Sequence, residues 1–341
     1  MREVLRESPV RLAPMASFTD VAFRTIAAQC GSGFTTNEEI DAEALLGGNA
    51  RTQEMMRGDD GNGLVAMQLL GSRVETLVPA ALRLVEAGAD IIDINMGCPV
   101  PKVVRRGKGV ALMRDVPAAA QILTALRHAL DDVPRTIKSR GGWDESQPNA
   151  VEVARMAQEV GVDAITVHPR TRVQRFDGRA AWEVIADVVA AVDIPVTGNG
   201  DVASLAEARL MMKATGCSSV MIGRAALGRP WIFDETYERL DDEGCARYEA
   251  SVIAAHLDLI DEQFSPHEAL VRTKKHLARY AAGWPDARSL RGELFAQSNV
   301  EAVRAVFARA AESRRREDIQ PPPPIPERMI PLGERDSKGT A

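Results

Sequence analysis

The feature of this 341-residue sequence that most constrains its fold is a repeated alternation of short apolar runs with amphipathic helical stretches. Eight runs could each form a buried strand, at residues 11–13, 33–36, 64–69, 90–95, 135–139, 163–168, 194–198 and 219–223. Apolar residues spaced by three and four indicate helices over 74–87, 117–130, 151–160 and 203–214. The alternation is typical of a parallel sheet, and eight evenly spaced units favour a (β/α)8 TIM barrel over a doubly wound open sheet.

The pattern changes after Trp231, where strand candidates stop and helical periodicity continues. We therefore predict an α/β protein in three parts: a barrel over residues 1–234, a small C-terminal all-helical domain over 235–318, and a proline-rich tail over 319–341. Because proline-rich segments favour extended conformations, we expect the tail to be extended and mobile.

Charge is distributed unevenly along the chain. The formal net charge of −6 argues mildly against a nucleic-acid partner. However, residues 235–269 hold ten acids and two bases, whereas residues 270–316 hold eleven bases and four acids. The total therefore conceals a basic segment, and we expect it to present a basic surface.

Four features bear on the compartment and on metals. The four cysteines lie far apart with no Cys-x-x-Cys pair, which argues against a zinc ribbon and a disulfide framework. No apolar run is long enough to span a membrane, and residues 1–9 lack the apolar region of a signal peptide. The five histidines form no His-x-x-x-His pair. We expect a reduced, cytoplasmic protein that binds no metal.

In a (β/α)8 barrel the active site lies at the carboxyl ends of the strands. Glycine turns follow the last two predicted strands, where backbone N–H groups at Gly200 and Gly223 could approach a phosphate and Arg224 could add its charge. Ordinary tight turns are the alternative. The stretch 198–203 also fits the dinucleotide pattern G-x-G-x-x-A, but the next strand ends in Gly-Arg rather than in an acid, so we reject that interpretation.

Two further strands end in basic side chains. Lys138 would point a cation into the barrel mouth, where it could stabilise a ring that becomes anionic on reduction; a salt bridge to a neighbouring acid is equally compatible with the sequence. His168 closes the sixth predicted strand, and a single histidine is weak support for a site.

Cys98 stands in a Gly-Cys-Pro turn at the end of the fourth predicted strand, followed by a basic loop with Lys102 and Arg105. Buried inert thiols are the common fate of cysteine, but side chains on such loops often carry function. A nucleophile would need a lowered thiol pKa, whereas an ordinary thiol is mostly protonated at neutral pH and suits a proton donor.

Several of these segments together resemble one enzyme family. They are Leu12-Ala-Pro-Met-Ala16, Asn95-Met-Gly-Cys-Pro99 with its basic loop, Lys138-Ser-Arg140, His168-Pro-Arg-Thr171, Gly198-Asn-Gly-Asp201, Gly223-Arg-Ala-Ala-Leu-Gly228 and, more loosely, Lys274-Lys-His-Leu-Ala-Arg-Tyr280. In these motifs the chain resembles the tRNA-dihydrouridine synthases, and most closely their bacterial B-type branch.

The resemblance implies reduction of the uracil 5,6 double bond in tRNA by FMN, with NADPH as reductant. It implies that hydride passes from the flavin to C6 and that Cys98 protonates C5. It implies uracil contacts at Asn95 and Arg140, and we predict tRNA contacts at Lys102, Arg105, Arg272, Lys274 and Lys275. The positions expected around FMN are Pro14, Met15, Ala16, Gln68, Lys138, His168, Asn199, Gly200, Asp201, Gly223 and Arg224.

Three positions depart from the family pattern. Glu39 stands where a methionine usually follows the acid at 38, which would make the wall beside the flavin more polar, Pro169 stands where a glycine usually follows His168, and Leu70 replaces a common phenylalanine. Two other functions stay open. An FMN barrel that reduces a free pyrimidine, in the manner of a dihydroorotate dehydrogenase-like enzyme, would need neither the 102–108 basic loop nor the basic segment. A non-catalytic RNA-binding barrel would not need Cys98, Lys138 and Arg224.

Overall fold

The computed structural model describes residues 1–57 and 63–312. Within them one parallel sheet runs in the order β1-β9-β8-β7-β6-β5-β4-β2, with β3 also paired to β4. The strands are β1 (Val10–Leu12), β2 (Thr35–Thr36), β3 (Ile40–Asp41), β4 (Val65–Leu70), β5 (Ile91–Met96), β6 (Arg135–Arg140), β7 (Ala164–His168), β8 (Val196–Asn199) and β9 (Ser219–Ile222). Every predicted strand is present, and most are shifted by only a residue or two.

The sheet curls into a barrel, because its first and last strands approach each other. The Gly33 backbone N–H donates to the Val10 carbonyl at 3.0 Å, and the Leu12 N–H donates to Ser32 Oγ at 3.0 Å. These two bonds join β1 to the segment leading into β2. The predicted (β/α)8 barrel is therefore confirmed.

Helices surround the sheet and follow it along the chain. They are α1 (Arg2–Glu7), α2 (Val21–Gln29), α3 (Ala42–Leu46), α4 (Ala50–Met55), α5 (Val74–Glu86), α6 (Pro101–Val104), α7 (Val116–Ala129), α8 (Ala150–Glu159), α9 (Trp182–Ala191), α10 (Leu205–Thr215), α11 (Asp242–Gln263), α12 (Pro266–Tyr280), α13 (Ala287–Ala296) and α14 (Val300–Glu312). Helix α10 starts two residues later than predicted because Ser204 caps it, its Oγ accepting from the Glu207 N–H at 3.1 Å.

The amino end of the barrel is closed by α1. Leu5 is fully buried against Phe34 and the first residues of several strands, including Ala66, Ile91 and Ala164. A closed lower end leaves the carboxyl ends of the strands as the open side, which we call the mouth.

The helical region, α11 to α14, packs directly on the barrel. One apolar core runs without a break from Phe23 on α2 and Trp231 into Leu257 and Leu277. The approach is close: a Cβ added at Gly228 would lie 2.3 Å from the Arg279 carbonyl oxygen. The domain boundary near residue 235 stays a prediction, since the core is shared. Residues 313–318 and the 319–341 tail lie outside the described residues.

Among the described residues, none of the helices is both long and apolar enough to cross a membrane.

Candidate active site

A break between β2 and β3 shapes one side of the mouth. Thr36 pairs with Ala66 and Ile40 pairs with Leu69. The segment from β2 to β3 therefore advances four residues while β4 advances three. The extra residue is a bulge, a device that bends a strand and redirects its side chains. Here it places Glu38 and Glu39 at the mouth. The sequence predicted a single strand in this segment, over residues 33–36, and did not predict the bulge.

Asn95, at the carboxyl end of β5, organises the loop that carries Cys98. Its Oδ1 accepts from the backbone N–H groups of Gly97 at 3.1 Å and Cys98 at 2.9 Å. Its Nδ2 donates to Glu39 Oε2 at 2.7 Å and to Gln68 Oε1 at 2.8 Å. Asn95 therefore fixes the Cys98 backbone, and its predicted contact with uracil stays a prediction.

The Cys98 thiol points at Glu39, which the sequence placed beside the expected flavin but not against the thiol. Sγ lies 3.6 Å from Glu39 Oε1. Burial, together with the adjacent Glu39 carboxylate, raises the pKa of Cys98 well above its ordinary value. The thiol is consequently held protonated at neutral pH, which fits a proton donor and not a thiolate nucleophile.

On the other side of the mouth, Lys138 on β6 donates from Nζ to Asn199 Oδ1 at 3.0 Å. It forms no salt bridge with any residue in the described part of the chain, so the alternative of an ion pair is not observed. Burial and the nearby Arg140 charge lower the pKa of Lys138 to about 8. Asn199 is itself held by its Nδ2, which donates to the Met221 carbonyl at 2.7 Å.

His168 ends β7 as predicted, and Pro169 does not displace it. Its Nδ1 lies 3.2 Å from the Asn199 carbonyl, a geometry that makes Nδ1–H the donor. Burial and the charges of Arg140 and Lys138 lower the pKa of His168 well below its ordinary value, so the ring is neutral. Nε2 is buried and has no protein partner among the described residues. It therefore offers an unused acceptor.

The turn after β8 is held in an unusual backbone conformation. Gly200 has φ +127°, and a Cβ there would come within 3.0 Å of His168 Nδ1. Asp201 follows with φ +52°, which is uncommon for a residue with a side chain. A bidentate pair from Arg170, at 2.8 and 2.7 Å, and the Ala180 N–H at 2.7 Å secure its carboxylate. The turn is thus built by Asp201 rather than left flexible.

Arg224 and Gly223 follow β9, beside that turn. The Arg224 guanidinium lies 3.9 Å from Asp201 Oδ1 and 4.4 Å from the centre of the Phe176 ring. Phe176, in the loop after β7, also lies 5.6 Å from Arg140 and was missed by sequence reasoning. Its place on a carboxyl-side loop was the one signal that could have found it.

The loop after β1 and the floor of the barrel complete the site. Pro14, Met15 and Ala16 are partly exposed at the mouth, with Met15 Sδ 3.9 Å from a Cβ built at Gly223. Gln68 lies deeper and donates to Asp93 Oδ2 at 2.6 Å. The residues expected around a flavin are therefore brought to one end of the barrel.

Arg140, on β6, bridges two loops. Nε donates to the Gly97 carbonyl at 2.8 Å, while Nη1 donates to the carbonyls of Thr171 at 3.1 Å and Arg175 at 2.9 Å. It therefore fixes the Cys98 loop against the loop after β7, and its contact with uracil stays a prediction.

The basic loop after Cys98 is divided by burial. Lys102 and Arg105 are exposed on the short helix α6 and at its end. Lys108 is instead 3% exposed and pairs with Asp41 at 2.7 Å and with Glu43 at 3.1 Å. Only the first part of the loop offers charge to a partner, while Lys108 anchors the loop to β3 and α3.

The three predicted tRNA-contacting cations of α12 have protein partners. Arg272 pairs with Asp20 at 2.7 Å and with Glu54 at 2.6 Å. Lys275 donates to the Ser17 carbonyl, and Lys274 donates to the carbonyls of Phe295, at 3.1 Å, and Gln297. Their charges hold the helical region to the barrel and to itself. Their contact with tRNA stays a prediction.

Asp20, His256 and His276 form a buried group with metal-type ligand atoms within 4.8 Å of one another. Sequence spacing could not reveal it, because the residues come from different elements. The Asp20 carboxylate already faces Arg272 at 2.7 Å and Lys275 at 3.9 Å. These cations would repel a metal ion, so we interpret the group as part of the contact between barrel and helices.

Comparison with solved structures agrees with the fold. Histamine dehydrogenase from Rhizobium sp. 4-9 superposes with a TM-score of 0.50 at 14% identity, covering 74% of this chain and 49% of that one. A 2-naphthoyl-CoA reductase superposes with a TM-score of 0.55 at 10% identity, covering 69% and 51%. At these identities the likeness concerns the barrel fold alone.

Comparison of sequences goes further. A tRNA-dihydrouridine synthase B of Pseudomonas putida is 37% identical over 91% of this chain and 94% of that protein. Proteins of the same name from Pseudomonas aeruginosa (38%, 87% and 92%) and Klebsiella pneumoniae (42%, 67% and 71%) are also similar. The model of the dihydrouridine synthase (Dus) family matches residues 11–314. The chain therefore belongs to the dihydrouridine synthase family.

Proposed function

We propose that this protein is an FMN-dependent enzyme that reduces the 5,6 double bond of specific uridines in tRNA and whose flavin is re-reduced by NADPH. The observation that carries the proposal is the Cys98 thiol. It stands at the mouth of a barrel, on a loop fixed by Asn95 and Arg140, and is held in the protonated form that a proton donor needs. The names of the similar proteins support the substrate class.

The residues at the mouth fit a flavin. His168 Nε2 is a buried acceptor without a partner among the described residues, and such a group is costly unless a ligand satisfies it. Gly200 leaves space where a Cβ would meet the His168 ring at 3.0 Å. Lys138 would face the ring, and Arg224 with the turns after β8 and β9 would hold the phosphate.

When bound, FMN would supply a hydride to C6 of the uracil ring, and NADPH would restore the reduced flavin. The protein's own part is to hold the base and deliver a proton. Cys98 gives its S–H proton to C5, so that a C5–H bond forms and the sulfur becomes a thiolate. Burial lowers the pKa of Lys138 to about 8. The Lys138 ammonium group would stabilise negative charge on the flavin ring that it faces.

The tRNA must present its base turned out of the folded RNA, as base-modifying enzymes require. Lys102 and Arg105, exposed beside the Cys98 loop, would contact the phosphates that flank that base. A free pyrimidine carries no such backbone, so these charges favour an RNA substrate.

The experiment is to map dihydrouridine in tRNA treated with the purified holoenzyme and NADPH, and to compare Cys98→Ala with Cys245→Ala. Cys245 is buried in α11, away from the mouth, and serves as the matched control. We expect Cys98→Ala to keep its flavin absorbance and to lose product at least about a hundredfold, the size of a general-acid contribution. Equal product from both variants, or reduction of free uridine in place of tRNA, would overturn the proposal.

A further inference from the structure

The bulge between β2 and β3 brings one carboxyl group against the thiol that the proposed function uses. Glu39 Oε1 lies 3.6 Å from Cys98 Sγ, while its Oε2 accepts from Asn95 Nδ2 at 2.7 Å. One carboxyl group therefore contacts both the sulfur and the amide that positions the sulfur. The two residues lie 59 positions apart in sequence, so the contact is made by the fold.

We propose that Glu39 is a positioning residue that acts through Cys98, and that its carboxyl group returns a proton to the sulfur after each turnover. The inference rests on the proposed function. Once Cys98 has protonated C5, the sulfur is a thiolate. The Glu39 O–H bond then breaks as the S–H bond re-forms, and the Glu39 carboxylate takes a proton from water. No electrons are exchanged in this step.

The surroundings of Glu39 bring the pKa of its carboxyl group close to neutral pH. Burial raises the pKa of Glu39 to about 7; the Cys98 hydrogen bond lowers it, and the charges of Glu38 and Asp41 raise it. Two cations also lie nearby. Arg140 on β6 lowers the pKa of Cys98, and Lys108, in the loop after α6, pairs with Asp41 at 2.7 Å. A proton on Glu39 is therefore available below about pH 7 and is lost above it.

A purely structural role predicts something different. If Glu39 serves only to accept the hydrogen bond from Asn95, then glutamine, whose side-chain oxygen is also an acceptor, should replace it without effect. Glu39→Gln therefore keeps the acceptor and removes the proton. Glu86→Gln, at the last residue of α5, is the matched control: it removes an exposed carboxylate outside the Cys98 loop and its anchors.

The experiment measures dihydrouridine formation by wild-type, Glu39→Gln and Glu86→Gln holoenzymes, in the steady state and in a single turnover of pre-reduced enzyme. The pH runs from about 5.5 to about 9, on both sides of the Glu39 pKa of about 7. The wild-type steady-state rate should fall above about pH 7, and the Glu39→Gln rate should be at least about tenfold lower at pH 6 without that decline. The first turnover should change by less than about twofold, because its proton is already on Cys98.

A second measurement is independent of turnover: the rate at which iodoacetamide alkylates Cys98, followed by mass spectrometry. Removing a carboxylate at this distance should lower the thiol pKa and speed alkylation by about fivefold in Glu39→Gln, with no change in Glu86→Gln.

The proposed proton transfer from Glu39 to Cys98, here called the relay, is overturned by any of three results. These are a Glu39→Gln pH profile that matches the wild type, a first turnover of this variant that slows as much as its steady state, and an unchanged rate of Cys98 alkylation in this variant. A wild-type holoenzyme that forms no dihydrouridine from tRNA would overturn the proposed function and, with it, the relay. Product formation by the wild type with an unaltered Glu39→Gln profile would overturn the relay alone.

Discussion

Replacing Asp20 by asparagine should weaken the contact between the barrel and α12 while leaving α2 intact. Asp20 Oδ1 caps α2 by accepting from the Phe23 N–H at 3.0 Å, and asparagine caps helices equally well. Its Oδ2 pairs with Arg272 at 2.7 Å, lies 3.9 Å from Lys275 and 3.5 Å from His276 Nε2. The substitution therefore keeps the cap, removes a charge and replaces the oxygen that faces Arg272 by an N–H donor.

The magnitude follows from burial. The Asp20 side chain is 4% exposed and that of Arg272 is 18% exposed. Removing one partner of a buried pair costs about 3–5 kcal/mol. Arg272 keeps Glu54 at 2.6 Å, but the single acceptor oxygen of asparagine is used by the α2 cap, so we expect the lower part of that range, about 3–4 kcal/mol. With an unfolding entropy of about 2.1 cal/mol/K per residue over about 300 residues, Tm should fall by about 5–6 °C.

The assay is thermal unfolding of wild type, Asp20→Asn and the control Asp258→Asn. Asp258 pairs with Arg304 at 3.1 Å on the surface, with a side chain 66% exposed, so its loss should cost less than about 1 kcal/mol. A Tm of Asp20→Asn within about 1 °C of wild type, or a loss equal to that of the control, would refute the reasoning, given the roughly 5–6 °C expected.

The pH dependence gives a second check on Asp20. Burial alone would raise its pKa, but the hydrogen bond from His276 and the charges of Lys275 and Arg272 hold the pKa well below 3.8. A carboxyl group whose folded pKa is depressed contributes stability above its unfolded pKa and loses it as pH falls through the folded value. The difference between wild type and Asp20→Asn should thus be full above about pH 4 and shrink in stronger acid.

The remaining predictions concern the mouth. Arg224→Ala should weaken FMN binding by about tenfold or more, the worth of a charge-assisted hydrogen bond, measured by fluorescence titration of flavin-free protein; unchanged affinity would place the phosphate elsewhere. Replacing Lys102 and Arg105 together by serine should reduce the slope of log affinity for tRNA against log salt by about 1.5. Arg6→Ser, on α1 at the closed end of the barrel, should leave that slope unchanged. If it reduced the slope as much as the double substitution, binding of tRNA at the mouth would be contradicted.

Much of the site could be predicted because it lies at strand ends. His168 and Asn199 end their strands, Lys138 lies two residues before the end of β6, and the barrel brings the three together. Cys98 was identified from its turn and its basic loop. The contact of Glu39 with Cys98 was not predicted and Phe176 was not placed in the site, since nothing local shows which side chain a carboxylate or an aromatic ring will face.

The sequence by itself determined the barrel and the order of its parts, because strands buried on both faces must be apolar along their length and helices must be apolar along one side. The tertiary structure decided which charges meet. Arg272 reaches Asp20 across 252 residues, Lys108 is buried against Asp41, and Glu39 meets Cys98 only through one extra residue between β2 and β3. Periodicity records whether a side chain is buried, whereas its partner is set by closure and register, which long-range packing alone defines.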